Sequence, residues 1–233
     1  MKKCYLLTLL LLPLFSIAQS NYKVGFVVDI KGDTLHGYID QKEWGHNPKS
    51  IIFKRTLTGN TQQLGLLDID FFEIGGYLSY QKYKVAVSLN SVDISSPSSI
   101  SDTATVIDTV FLKILKKGKN LTLFVYKDGL KDRYYIKDND MRWPGELLYG
   151  VYQDILSPDK VISKNTFQAQ LIQTAVKYNC GTDKLLKEIH QSDYKEDDII
   201  QIVAQINGDA QAGAAVKSAN GSSVRLFVGG AFI

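Results

Sequence analysis

Between Val24 and Arg55 the stretch VGFVVDIKGDTLHGYIDQKEWGHNPKSIIFKR admits few folds. From Tyr22 to Ile30 the residues alternate. Val24, Phe26 and Val28 fall on one face, and Gly25, Val27 and Asp29 on the other, which is the period-two pattern of a strand. Lys31-Gly32-Asp33 supplies turn chemistry, because glycine accepts positive φ and aspartate bonds its own backbone. Thr34 to Asp40 then returns with Leu35, Gly37 and Ile39 on one side, completing a β-hairpin. A loop from Gln41 to Lys49 holds Trp44, His46 and Pro48, and Ser50 to Arg55 reads as a third strand.

The same grammar continues. Thr56 to Gln63 is a polar connection containing Gly59-Asn60, Asp70 to Ile74 is a strand, and Gly75-Gly76 breaks it. Tyr77 to Leu89 alternates and is rich in Tyr and Val. Asn90 to Thr105 is Ser-rich, contains Pro97 and lacks periodicity, so it is a long surface loop. Strands follow at Val106–Leu115, Leu121–Lys127 and Lys131–Lys137, joined by the basic turn KKGKN and by Asp128-Gly129. About eight short strands with local connections predict an antiparallel meander that curls into a sandwich or half-open barrel. Beyond Asp138 the period changes. Leu147, Leu148, Val151 and Ile155 have helical spacing. Phe167, Leu171, Thr174, Ala175 and Tyr178 mark a helix stopped by Cys180-Gly181, and Leu185, Leu186 and Ile189 mark a second after Thr182. Ile199, Ile200, Val203 and Ile206 mark a third, capped by Ser192 or Asp193 and ended by Asn207-Gly208. Asp209 to Asn220 is an Ala-rich weak helix or linker. The last eleven residues, SVRLFVGGAFI, revert to β and must pair with something. The fold class expected is α+β: antiparallel β over 20–140, a small helical segment over 141–220 and a terminal strand over 221–233.

Residues 1–19 stand apart. Lys2 and Lys3 precede the apolar run Tyr5 to Phe15, and Ser16-Ile17-Ala18-Gln19 follows it, the layout of a secretory signal peptide. Cys4 lies ahead of the apolar run, where a lipidated cysteine would lie behind it. Cleavage after Gln19 lowers Lys plus Arg from 27 to 25 while Asp plus Glu stays at 24, so the mature chain is near +1. Nothing in that balance points to a nucleic-acid partner, which needs a basic face. Cys180 alone remains, so the exported chain relies on core packing rather than an internal disulfide.

Motifs for chemistry are absent from the sequence. No G-x-x-x-x-G-K-[ST] occurs, and Gly118-Lys119-Asn120 has neither the upstream glycine nor the Mg²⁺-binding hydroxyl, which excludes nucleotide binding by a P-loop. His36, His46 and His190 have no partner at metal-ligand spacing. Asp138-Asn139-Asp140 opens like a Ca²⁺ loop, but no glycine or glutamate follows in register, and the segment reads as a solvated turn. Asp68 and Asp70 form another acidic pair, and Glu196-Asp197-Asp198 complements a helix dipole. Tyr77, Tyr80, Tyr83, Tyr134 and Tyr135 suit either a glycan-binding surface or simple strand packing, and packing is preferred. The sequence implies no catalytic residue, metal ligand or cofactor.

The signal ending Ala18-Gln19, the hairpin GFVVDIKGDTLHGYID, W-x-x-N-P-K-S-I-x-F at Trp44–Phe53 and RYYI at Arg133–Ile136 resemble a group of exported proteins of Bacteroidetes-type bacteria. The resemblance implies an N-terminal β-rich region, a helical segment and then an outer-membrane β-barrel, of which SVRLFVGGAFI looks like the first strand. It carries over no catalytic residue. The function expected is therefore that of a non-enzymatic envelope protein, a periplasmic or surface domain that binds or assembles with outer-membrane components. The alternative is a secreted carbohydrate-binding or carbohydrate-active protein. The string D-[ST]-apolar at Asp33-Thr34-Leu35, Asp102-Thr103-Ala104 and Asp108-Thr109-Val110 is similar to the O-glycosylation signal of such bacteria, with Thr103 the accessible site. Intact-mass measurement of the protein exported from its native host is expected to show a glycan increment that Thr103→Ala removes. An unmodified mass contradicts the assignment.

Overall fold

Ten strands join in one antiparallel sheet, and five of their nine connections are turns of three or four residues. The computed structural model describes residues 21–209 apart from 94, 96, 98–103, 155, 156, 158 and 159. The expected signal peptide, Thr103 and the terminal strand lie outside the described residues. The sheet strands are β1 (Tyr22–Asp29), β2 (Thr34–Asp40), β3 (Ser50–Lys54), β4 (Gln62–Gly65), β5 (Ile69–Ile74), β6 (Leu78–Ser88), β7 (Thr105–Lys117), β8 (Leu121–Lys127), β9 (Asp132–Asp138) and β10 (Gly145–Glu146). Their spatial order is β10-β9-β8-β7-β6-β5-β1-β2-β3-β4. A separate hairpin pairs β11 (Gly150–Gln153) with β12 (Val161–Lys164). The helices are α1 (Thr166–Lys177), α2 (Asp183–Gln191) and α3 (Glu196–Ile206).

The sheet is open but curls twice. Only Leu66–Asp68 join β4 to β5, although three strands lie between them in the sheet order. Four chain steps reach at most about 14 Å, whereas four gaps of a flat sheet span about 19 Å. Strands β5-β1-β2-β3-β4 must therefore roll into a half-open barrel. Its interior is one apolar cluster built on Val27, Ile39, Ile51, Phe53, Ile69, Phe72 and Ile74. The inner face of the opening hairpin is thus the one with Gly25 and Val27, while Val24 on the other face is 68% exposed. Gly25 and Gly37 are register partners on that inner face. A Cβ on Gly25 would strike the Glu73 carbonyl oxygen, and one on Gly37 the Lys54 carbonyl oxygen and the Phe53 ring. The paired glycines let the curl close this tightly.

The second curl has the opposite sense. Glu146 on β10 accepts a hydrogen bond from the Ser88 backbone N–H on β6 at 3.0 Å, and a very short one from the Ser88 hydroxyl. Strands β6 to β10 thereby form another half-open barrel around Val85, Val87, Val110, Leu112, Phe124 and Tyr135. These side chains point from the sheet face opposite the first core: Val85 and Val87 on β6, and Val110 and Leu112 on β7, have the other parity from first-core Tyr80 and Phe111. The helices cover the outside of this second curl. Phe167, Leu171, Ala175, Leu185, Ile189, Ile199 and Val203 pack on Leu121, Leu123, Val125, Tyr134 and Ile136.

Asn47, in the loop between β2 and β3, ties the curls together. Its amide nitrogen donates to the Phe111 and Val125 carbonyls at 2.7 and 3.0 Å. Its amide oxygen accepts from the Lys127 N–H at 3.0 Å, and its own N–H donates to the Lys127 carbonyl at 2.8 Å. Beside it Trp44 meets Phe72 and Tyr80 edge-on.

The α+β, predominantly antiparallel architecture is as expected from the sequence, with four local differences. Nine strands, not eight, lie between Tyr22 and Asp138, because the polar Gln62-Gln63 pair enters β4 opposite Ile52 and Phe53. Leu147 to Gln153 is extended rather than helical: Leu147 N–H bonds the Tyr134 carbonyl, and Gly150–Gln153 pair with β12. Sheet pairing there outweighs a helical spacing only a few residues long. Ser192 and Asp193 do not cap α3; the N-cap is Lys195, and Asp193 N–H instead bonds Asp198. Asn179, with φ 54°, rather than Gly181 takes the left-handed position after α1. Replacing Asn47 by Leu leaves partly buried backbone groups on β7 and β8 unpaired and is expected to cost about 2–4 kcal/mol in urea unfolding. A loss under about 0.5 kcal/mol would show that the clamp is dispensable.

Candidate functional site

The second curl has a polar network at one end and an open cleft at the other. Sequence parity builds the network. Arg133 and Tyr135 alternate on β9, so both point into the curl, and both are fully buried. Arg133 Nε donates to the Ser88 carbonyl at 2.8 Å, and Nη1 to Asp128 Oδ2 at 2.9 Å and the Lys131 carbonyl at 3.3 Å. Nη2 is the one buried side-chain nitrogen or oxygen among the described residues without a hydrogen-bond partner. Lys131 is also buried and donates to Asn90 Oδ1 at 3.0 Å. Asn90 in turn donates to the Tyr149 carbonyl at 2.9 Å. The Tyr135 hydroxyl donates to the Ala86 carbonyl at 2.9 Å, with Glu146 Oε2 3.4 Å away.

These charges are locked rather than poised. Burial alone would lift the Asp128 carboxyl, but the N–H groups of Lys131 and Leu130 and the Arg133 guanidinium hold it below the usual range. Burial pushes the Lys131 ammonium down to about 8; Arg133 adds to the fall, and Glu146 and Asp128 oppose it.

The cleft is the mouth of the curl between the β6, β7, β8 and β9 ends, with a volume of about 230 Å³. Tyr83, Phe124 and Ile114 line its apolar wall, and Tyr83 meets Phe124 edge-on. Gln81, Thr122, Asn120, Lys117 and Lys137 supply its polar groups. The rim is held in place by α3. Asn207 at its C-terminus accepts from the N–H groups of Asn120 and Leu121 at 2.9 and 2.7 Å, and Asn120 Nδ2 donates to the Ile206 carbonyl at 2.6 Å. A Cβ on Gly118 would occupy the Asn207 amide.

Asp138 is the one carboxylate lining the cleft and is buried at 7% exposure, while Asn139 and Asp140 after it form the exposed turn expected from the sequence. Its Oδ1 accepts from the N–H groups of Asp140 and Met141, and its Oδ2 meets Lys177 Nζ at 2.7 Å. Burial would raise its pKa, but the Lys177 bond and the two N–H groups outweigh that and hold it low. By contrast, Lys137 Nζ reaches only the Asp138 backbone carbonyl at 3.4 Å, and Lys117 Nζ sits 5.6 Å from the Phe71 ring. Neither lysine pairs with a carboxylate among the described residues.

The other sequence candidates scatter. His36, His46 and His190 are exposed and lie on β2, in the β2–β3 loop and on α2. Among the described residues no three His, Cys, Asp or Glu side chains converge on a metal-sized site. Asp68 caps the β4–β5 turn through Gly65 N–H, and Asp70 pairs with Lys82 at 2.5 Å. Glu196 pairs with Lys127 at 3.2 Å. Tyr80, Tyr134 and Tyr135 are buried, Tyr77 is exposed, and Tyr83 enters the cleft, so the five tyrosines form no common surface. Burial pushes Tyr80 up to about 12. Burial raises the Cys180 thiol, which donates to the Ala175 carbonyl. Thr34 is exposed at the start of β2 and Thr109 is half-buried in β7. Sequence reasoning passed over Arg133, Lys131, Asn90 and Glu146. The available signal was Arg133 itself, a charge on the same parity as buried Tyr135.

No protein-family model, curated protein or solved structure matches the chain.

The network makes stability pH-dependent in a defined direction. The folded Lys131 sheds its proton near pH 8, while the unfolded chain keeps it to about 10.4. Across that window the unfolded state binds more protons, so this group's contribution to stability rises with pH, and it is level below the window. The stability of wild type relative to Lys131→Met is expected to be higher at about pH 9.5 than at about pH 7.5 in urea unfolding. An equal difference at both pH values contradicts the burial of a charged lysine.

Proposed function

We propose that the chain is a non-enzymatic cell-envelope protein, a periplasmic or surface domain associated with the outer membrane, that acts by binding through the mouth of its second half-barrel. One observation carries the binding part: a concave cleft with an aromatic wall and two lysines that no carboxylate among the described residues neutralises. Cations left unpaired beside an apolar wall suit recognition. The cleft's lone carboxylate is committed to backbone N–H groups and Lys177, so it offers no free base. Glycoside hydrolysis needs two facing carboxylates, and the cleft's lining holds one. The export and envelope parts rest on the basic and apolar N-terminal stretch and on the resemblance carried by the opening hairpin and the Trp44–Phe53 motif.

Fractionation of the native host, with antibody detection, is expected to place the protein in the periplasmic or outer-membrane fraction. Recovery in the cytoplasm, still carrying Met1–Gln19, would overturn the envelope assignment.

A further inference from the structure

The geometry points to an acidic sugar, a hydroxylated ring bearing a carboxylate or phosphate, as the ligand of the cleft between β6, β7, β8 and β9. This rests on the reading of the cleft as a binding site and adds the chemistry of what it takes.

Three features of the lining converge on that class. The first is charge. Lys117 and Lys137 stand on adjoining sides of the mouth, Lys117 at the end of β7 and Lys137 on β9. The neighbouring Lys116 is already engaged with Asp209 at 2.7 Å, and Asp138 is engaged with Lys177. The cleft therefore presents positive charge without a competing free carboxylate, and an anionic group entering it gains charge-assisted hydrogen bonds.

The second feature is unused acceptors. Gln81 spends its Nε2 on the Asp70 carbonyl, and Asn120 spends its Nδ2 on the Ile206 carbonyl. Each amide is thus turned so that its oxygen remains without a bond from the described residues. A fully deprotonated anion such as sulfate has no hydrogen to give these acceptors, and hydrogen phosphate has few. Ligand hydroxyls carry such hydrogens, and a pyranose supplies them. The Thr122 and Tyr83 hydroxyls add two groups that both donate and accept.

The third feature is the wall. Tyr83 is half-buried and braced by Phe124, which is itself buried at 2% exposure. Such a ring presents an apolar face to the C–H side of a sugar while its hydroxyl stays at the polar rim. The volume of about 230 Å³ accommodates one sugar residue rather than an extended chain. The rim does not need ordering, since the Asn207 and Asn120 bonds already hold the β7–β8 turn. Preorganisation of this kind lowers the cost of binding.

The test is calorimetric titration of the purified protein with galacturonate and with glucose 6-phosphate, single acidic sugars that match the volume, against neutral galactose and inorganic phosphate. The same titrations are run on Lys117→Gln/Lys137→Gln and on Tyr83→Leu, each checked for wild-type thermal unfolding. At least one acidic sugar is expected to bind saturably. The lysine double variant is expected to weaken it by about tenfold or more, the loss of at least one charge-assisted bond. Tyr83→Leu is expected to weaken acidic sugars without creating affinity for inorganic phosphate. Galactose and inorganic phosphate are expected to bind more weakly than their acidic-sugar counterparts. Absence of binding by both acidic sugars overturns the proposal, as does binding unchanged in the lysine double variant. Inorganic phosphate binding as tightly as glucose 6-phosphate overturns the role of the ring. Neutral sugar binding equally well, and lost in Tyr83→Leu, overturns the acidic class but leaves the cleft as a binding site, so the two readings fail separately.

Discussion

Past the Lys113–Val125 pair, β7 and β8 diverge, and the carbonyls of Phe111 and Val125 and the N–H of Lys127 face a gap. Asn47 fills it from a loop more than sixty residues away in the chain. This is the general condition of the molecule. A sheet rolled into two opposed curls splays its strands, and buried backbone groups in the splayed regions still require partners. Side chains supply them. The Tyr194 hydroxyl accepts from Tyr134 N–H and donates to the Leu147 carbonyl, stitching β9 to the chain after β10. Asn207 does the same for the β7–β8 turn, and Glu146 for Ser88 at the end of β6.

Two of these four stitches explain why the helices belong to the same fold as the sheet. Tyr194 lies two residues before α3 and Asn207 caps its end, so both ends of one helix are anchored in strand backbone. The apolar stripe between them, Ile199, Ile202, Val203 and Ile206, belongs to the core beneath the helices and packs against β7 and β8. The interior charges follow the same logic. Arg133 and Lys131 are tolerated inside because they join strand ends to Asp128, Ser88 and Asn90, although a buried charge pair is weak evidence of net stability. The cleft is what remains where the second curl is left open and no side chain crosses the gap.

Much of this was legible in the sequence. Alternation and turn dipeptides marked eight strands, and the stripes at Phe167, Leu185 and Ile199 marked three helices. The short elements were not legible. β4 is polar and β10 is two residues long, so neither carries a periodic signal, and both are held by tertiary pairing alone. The Leu147–Val151 spacing fits helix and strand alike over so few residues. Of the cleft, the basic turn KKGKN was visible as a turn, but Lys117 acquires meaning only beside Lys137, Tyr83 and Phe124, which lie on three other strands.

The sequence by itself determined the local elements, because turn chemistry and side-chain period act over a few residues. It also determined the absence of any recognisable P-loop or metal motif, since those are fixed spacings. Tertiary structure alone decided which face of each strand is inside. The opening hairpin turns Gly25 and Gly37 inward and Val24 outward, against hydrophobicity, because only glycine fits where the curl brings the Lys54 and Glu73 carbonyls so near. It also decided the sense of the second curl, and with it the burial of Arg133 and the opening of the cleft. Register and curvature arise from contacts between residues far apart in the chain, and no local pattern encodes them.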